Sequence, residues 1–92
     1  MSKSTIPFAT ALSIIQNAVA VKVQTWDGAL LYPADLDDGG FEIVDYEQDR
    51  SAQFSKSGDK VARTDFDGGF KLTFTDDEGF KLDLIPLTYA KG

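Results

Sequence analysis

The sequence contains no cysteine and no histidine, and these two absences exclude several classes of function. Without cysteine, the chain forms no disulfide and offers no thiolate nucleophile. Without either residue, Ser–His and Cys–His catalytic systems are excluded, and so are zinc and transition-metal sites built on imidazole or thiolate ligands. A secreted domain of this size often depends on disulfides, so their absence favours a reducing compartment, and we expect a cytoplasmic protein.

Long hydrophobic runs are also missing. The apolar stretch near the N-terminus is interrupted by Thr10, Ser13, Gln16 and Asn17, so it is typical of neither a signal peptide nor a membrane span. The chain is nevertheless 42% hydrophobic and has seven phenylalanines, which argues against intrinsic disorder. Its 92 residues predict a single domain covering residues 1–92.

Charge is distributed very unevenly along the chain. The net charge is −6, from 15 acidic and 9 basic residues. Residues 35–49 hold seven of the acidic residues and no basic one, which leaves eight acidic against nine basic residues elsewhere. Concentrated charge of one sign sets up a local field that can select binding partners. The seven residues are Asp35, Asp37, Asp38, Glu42, Asp45, Glu47 and Asp49.

We predict these seven carboxylates as the partner-binding residues, facing the basic surface of another protein. Nucleic-acid backbones and anionic membranes are poor partners for such a segment, because both carry negative charge. An alternative interpretation is that the charge only keeps the protein soluble.

The same carboxylates do not predict catalysis or a metal site. They fall mainly on turns and outward strand positions, where solvated groups keep ordinary pKa values, so we expect a protein that is not an enzyme and needs no cofactor. The segment beginning at Asp35 resembles the opening of an EF-hand loop. With Asp35 as the first ligand, however, Gly39 and Tyr46 occupy ligand positions, and no helices flank the loop. A solvated turn is the simpler interpretation.

The N-terminal segment predicts the only long helix of the chain, over residues 6–18. Thr5 is a suitable N-cap, and Pro7 is tolerated in a first helical turn. Apolar residues then follow at helical spacing and form one stripe of an amphipathic helix: Phe8, Ala11, Leu12, Ile15 and Val19.

The remainder of the chain predicts short strands. Alternation over 20–26 indicates a strand, and the turn at Asp27-Gly28 indicates that residues 29–32 return beside it as a hairpin. A Gly-Phe-charged-aliphatic pattern begins at Gly40, Gly69 and Gly79, and each copy is typical of a strand that starts with phenylalanine facing inward.

Two further hairpins are predicted. The clearer one pairs Phe70, Leu72 and Phe74 with Phe80, Leu82 and Leu84 across the turn at residues 76–79. The other joins residues 52–55 to 60–63 through a tip at Ser57-Gly58-Asp59. Its basic residues, Arg50, Lys56, Lys60 and Arg63, would partly neutralise the acidic run.

These elements predict an α+β fold in which one N-terminal helix packs on a curled antiparallel sheet of five to seven short strands. The sheet must be antiparallel because no second helix is available for a crossover connection.

Trp26, the only tryptophan, has two interpretations. It is either packed in the core, or exposed as an aromatic anchor or a stacking surface for a base.

The N-terminal third resembles the opening of the phage Thoeris anti-defence sponges. The resemblance consists of Phe8-x-x-Ala11-Leu12, Ile15, Val21 and the Trp26-x-Gly28 end of the following strand. It implies a small helix-plus-sheet protein that oligomerises and sequesters cyclic nucleotide signals. Lys22, Trp26 and one of Arg50 or Arg63 would then contact the ligand, in the cytoplasm of a phage-infected host cell.

Three functions follow as expectations. The first is a counter-defence inhibitor, in the style of small acidic phage proteins, that blocks the nucleic-acid-binding surface of a host protein. The second is a homo-oligomeric sponge for a cyclic nucleotide. The third is a structural or assembly module, because exposed strand edges allow strand addition between chains.

Overall fold

The computed structural model describes residues 2–54, 60–76 and 78–87. These residues form nine strands, one α-helix and one short 3-10 helix. The helices are α1 (Phe8–Gln16) and the 3-10 helix Gln24–Trp26. The strands are β1 (Ser2–Pro7), β2 (Ala20–Val23), β3 (Ala29–Leu31), β4 (Ala34–Asp35), β5 (Phe41–Asp45), β6 (Arg50–Phe54), β7 (Lys60–Phe66), β8 (Gly69–Thr75) and β9 (Lys81–Leu87).

The strands form two antiparallel sheets. The large sheet has six strands in the order β1-β7-β8-β9-β2-β3, and the small sheet has three in the order β4-β5-β6. The predicted α+β class, with one helix and antiparallel strands, is therefore confirmed, whereas five to seven strands was too low a number. The additional strands are β1, which precedes the helix, and the two-residue β4 at the start of the acidic run.

The N-terminus pairs as a strand before the helix begins. β1 is antiparallel to β7, with Thr5 opposite Ala62, so Thr5 is not the N-cap of the helix. The cap is Pro7, which has extended backbone angles and makes no side-chain capping bond. The proline ring disfavours helical geometry at the residue before it, and this places Ile6 in the strand and starts the helix at Phe8.

The helix is shorter than the predicted 6–18 and ends at Gln16. It buries Phe8, Ala11 and Ile15, as the apolar stripe indicates, but Val19 is exposed. By that point the chain has left the helix, and the amide of Val19 donates to the carbonyl of Leu87 at 2.8 Å.

The strand predicted over 20–26 ends at Val23, and a 3-10 helix follows it. Because of this 3-10 helix, the side chain of Trp26 packs in the core with Val23. Strict strand alternation would have placed it on the opposite face of the sheet, with Lys22. The side chain of Thr25 accepts a 2.9 Å hydrogen bond from the amide of Asp83, which fixes the 3-10 helix to β9. The predicted hairpin is confirmed, because β3 pairs antiparallel with β2.

The hairpin of β8 and β9 is also confirmed. Leu72 lies opposite Leu84 and Phe74 opposite Leu82, as the pattern predicts. Phe80 is the exception: it lies in the turn before β9 and is exposed instead of facing inward.

The predicted basic hairpin is wrong. β6 pairs with β5 in the small sheet, whereas β7 pairs with β1 and β8 in the large sheet. Its predicted tip, Ser57-Gly58-Asp59, lies outside the described residues. The two strands follow each other in sequence but belong to different sheets.

Both α1 and the small sheet pack on the same face of the large sheet. The buried side chains of all three layers form one hydrophobic cluster. Phe74 of β8 is at its centre, with ring centroids 5.7 Å from Phe8, 4.9 Å from Phe41 and 5.6 Å from Phe54. Over the described ranges, no helix has the length and apolar character needed to cross a membrane.

Candidate functional site

The acidic run folds into the small sheet and its two turns. Asp35 ends β4, and the turn that joins β4 to β5 carries Asp37 and Asp38. The side chain of Asp38 accepts a 3.0 Å hydrogen bond from the amide of Gly40, and Leu36 bonds to the Gly40 carbonyl at 3.0 Å. Short acidic side chains are suited to this role, since they bond to the backbone two residues ahead.

The second turn joins β5 to β6 and carries Glu47 and Asp49. Asp49 has a φ of 54°, a left-handed conformation that aspartate and asparagine tolerate better than most residues. The carboxylate of Asp45 accepts a 3.3 Å hydrogen bond from the amide of Gln48 and so holds the turn from within.

Asp45 is different from the other six predicted residues. Only 5% of it is exposed, because β5 alternates and directs Phe41, Ile43 and Asp45 inward. Its carboxylate is 3.1 Å from Nε of Arg50, the residue opposite it on β6. The structure therefore assigns Asp45 to the interior of the small sheet, where it does not face a partner.

Arg50 connects this pair to Trp26. Its guanidinium carbon lies 5.0 Å from the centroid of the indole, and Nη2 donates to the Trp26 carbonyl at 3.2 Å. A cation over an aromatic face is attracted to it, so Asp45, Arg50 and Trp26 form one network between the two sheets.

The other six carboxylates remain on the surface, with Glu42, the second residue of β5, half-buried. Glu42 accepts a 3.0 Å hydrogen bond from the amide group of Gln53. The two acidic turns lie at opposite ends of β5, which at 3.3 Å per residue is about 16 Å long. Within the run, Asp45 forms an ion pair with Arg50.

Lys22 and Trp26, the candidate ligand-binding pair, do not lie together. Lys22 is exposed on the open face of the large sheet, between the buried Val21 and Val23. Trp26 is buried on the other side of the same sheet, under Arg50. Arg63 is also remote from Trp26, since it forms an ion pair with Asp65 and lies 3.9 Å above the ring of Phe70.

A cleft of about 540 Å³ opens where the small sheet meets the β2–β3 hairpin. Its lining includes Trp26, Asp27, Leu31, Val44, Tyr46 and Glu47. A smaller cavity of about 310 Å³ adjoins it, shares Leu31, Val44 and Tyr46, and extends to Tyr32 and Glu42. We call the two together the β3–β5 groove.

The groove was not predicted from the sequence, although the inward position of Asp45, one of its lining residues, could have been. Alternation from Phe41 and Ile43 places Asp45 inward, and a buried carboxylate requires a cationic partner. Nothing in the sequence indicated that Tyr46, which is 87% exposed, would stand beside the β2–β3 hairpin. In the ranges that the structure covers, no group of three or more acidic residues is arranged to hold a metal ion.

Comparison of the chain with protein-family models, with curated proteins and with solved structures finds no match. The resemblance of the N-terminal third to the anti-defence sponges therefore stays a prediction.

Proposed function

We propose that this chain is a small acidic binding protein without enzymatic activity, and that it blocks a basic, nucleic-acid-binding surface of a partner protein. Its role would be that of a phage-type counter-defence inhibitor acting on a host protein. The observation that carries the proposal is the arrangement of the surface carboxylates, which lie on the strands β4 and β5 and on the two turns at the ends of β5.

The arrangement suits a surface that normally binds phosphates. Asp35 at the end of β4 and Asp37 in the following turn lie at one end of β5, and Glu47 and Asp49 lie on the turn at the other end. Negative charge therefore extends over about 16 Å of a backbone held by two flanking strands. A pre-ordered charged surface loses little freedom on binding, and opposite charge on the partner accelerates association.

The proposal is tested by affinity capture with the immobilised protein, followed by calorimetry with the purified partner at 50 and 300 mM NaCl. We expect binding to weaken with salt and to compete with nucleic acid for the partner, because both ligands use the same cationic groups.

Three double variants identify the surface. Asp35→Asn/Asp37→Asn and Glu47→Gln/Asp49→Asn each remove two charges from one end of β5, and we expect each to raise the Kd about tenfold. The control, Asp67→Asn/Glu78→Gln, removes two exposed charges outside the small sheet and is expected to leave the Kd unchanged. If all three variants bound the partner with the Kd of the unmodified protein, the proposal would be refuted. The interpretation that the charge only keeps the protein soluble would then be favoured.

The sponge alternative requires a second copy of the chain. Within one chain, Trp26 is covered by Arg50, and Asp27 and Glu47 make the cleft beside it unfavourable for phosphate. A cyclic nucleotide that raises the Tm of the protein and also shifts it from monomer to oligomer would support this alternative over the inhibitor.

A further inference from the structure

The β3–β5 groove combines exposed aromatic rings with an apolar floor. Tyr46 is 87% and Tyr32 is 72% exposed, and both line the groove together with Leu31 and Val44. Aromatic side chains presented in this way are unusual on a highly charged surface, and at interfaces they supply much of the binding energy.

The charged residues of the groove are mostly acidic. Asp27 and Glu47 line the larger cavity and Glu42 lines the smaller one. Asp45 and Arg50 also border the larger cavity, but they neutralise each other at 3.1 Å. A ligand with positive charge therefore finds unopposed carboxylates here, along with two tyrosine rings that attract cations.

Two strand edges border the same groove. β4 pairs only with Phe41 and Glu42, so over the described residues no strand pairs with β5 from Ile43 to Asp45 on that side. β3 is the last strand of the large sheet, and its outer edge likewise has no partner strand within the described ranges. Open edges offer backbone hydrogen bonds to a segment in extended conformation.

We propose that the β3–β5 groove binds an extended segment of the partner protein in which lysine or arginine side chains alternate with apolar ones. This inference rests on the proposed function and names the element of the partner that is held. The cationic side chains contact Asp27, Glu42 and Glu47, and the apolar ones lie between Tyr32 and Tyr46.

The test uses the full chain labelled with ¹⁵N and three synthetic eight-residue peptides with blocked ends. One alternates arginine and leucine, the second arginine and serine, and the third glutamate and leucine. We expect the arginine–leucine peptide to bind most tightly and to shift the amide resonances of Gly28, Val44 and Tyr46. The fluorescence of Trp26, the only tryptophan, should change in the same titration because it lies in the wall of the groove.

Tyr46→Ser is the decisive variant, and it is expected to raise the Kd of the arginine–leucine peptide about tenfold. Tyr46 is so exposed that its replacement leaves the core intact. Phe80→Ser is the matched control: it removes a partly exposed aromatic ring outside the groove and should leave the Kd unchanged.

The outcomes separate the two proposals. Shifts confined to residues 35–38, with equal binding of the arginine–serine peptide and no effect of Tyr46→Ser, would overturn the groove while leaving the acidic surface as the binding site. Failure of both arginine-containing peptides to bind would overturn the groove and the proposed function together.

Discussion

At the scale of single residues, the acidic run shows that neighbouring carboxylates can have opposite roles. Asp45 is buried and satisfied by Arg50 and by the amide of Gln48, whereas Glu47, two positions later, is exposed. The strand period of two directs Asp45 to the same side as the buried Ile43, but β5 ends at Asp45 and Glu47 lies in the turn that follows. The composition says how many carboxylates there are, but the path of the backbone decides which of them are exposed.

Removing the carboxylate of Asp45 should therefore destabilise the fold. Asp45→Ala leaves a guanidinium and a turn amide without their acceptor, and we expect the free energy of unfolding to fall by about 1–3 kcal/mol. Asp45→Asn retains an acceptor for the amide of Gln48 and should lose less, about 1 kcal/mol. Urea unfolding followed by Trp26 fluorescence measures both values.

The control for this prediction is Glu47→Ala, which removes a neighbouring exposed carboxylate and should change the free energy of unfolding by less than about 0.5 kcal/mol. If Asp45→Ala were as mild as Glu47→Ala, the ion pair with Arg50 would have no structural role.

At the scale of elements, the 3-10 helix decides the shape of the site. A strand continued from β2 through Trp26 would place the indole on the open face of the large sheet, beside Lys22. The 3-10 helix instead turns Trp26 under Arg50 and brings the β2–β3 hairpin against the small sheet. Its tie to β9 is the hydrogen bond from the amide of Asp83 to Thr25, across 58 positions of sequence.

Thr25→Val should weaken the attachment of the 3-10 helix to β9 while keeping a side chain of similar size at position 25. The variant removes the acceptor at 2.9 Å from the Asp83 amide, and we expect about 0.5–1.5 kcal/mol of lost stability. Hydrogen exchange of the Asp83 amide should accelerate about fivefold, because a loss of about 1 kcal/mol in stability raises the population of the open state by about that factor. Thr25→Ser keeps the hydroxyl and should keep the protection; equal acceleration in both variants would contradict the role of the hydrogen bond.

At the scale of the whole molecule, two sheets of different character share one core. The small sheet carries six of the surface carboxylates, yet its Phe41 and Phe54 pack on Phe74 of the large sheet. The sheet that carries the acidic surface and the helix therefore pack in the same apolar cluster. The proposed binding on this surface would need little reordering of the backbone, which favours affinity.

A shared core predicts that the molecule unfolds in one step. Urea transitions followed by Trp26 fluorescence, which reports on the junction of the sheets, and by far-ultraviolet circular dichroism should coincide. Phe74→Leu should move both transitions together to lower urea, because it removes ring contacts to the helix and to the small sheet at once. Separate transitions would show that the small sheet is stable without the large one.

Much of the local structure could be predicted from the sequence because it depends on short-range periodicity. The helix stripe of Phe8, Ala11 and Ile15 and the register of Leu72 against Leu84 were both readable from spacing. The partner of β6 could not be predicted in this way. Adjacent strands often form a hairpin, and only the competition among apolar faces sends β6 to one sheet and β7 to the other.

Composition and position along the chain are enough to exclude functional classes and to locate the segment in which charge is concentrated, since both depend only on which residues are present and where. Alternation with Phe41 and Ile43 already indicates that Asp45 lies inward, but only the tertiary structure shows that Trp26 is covered and that Tyr46 borders a groove. Each of these depends on contacts between distant segments, such as the bond from Arg50 to the Trp26 carbonyl across 24 positions. Such contacts form only when burial of the whole core compensates the entropy of closing long loops, and no local pattern encodes that balance.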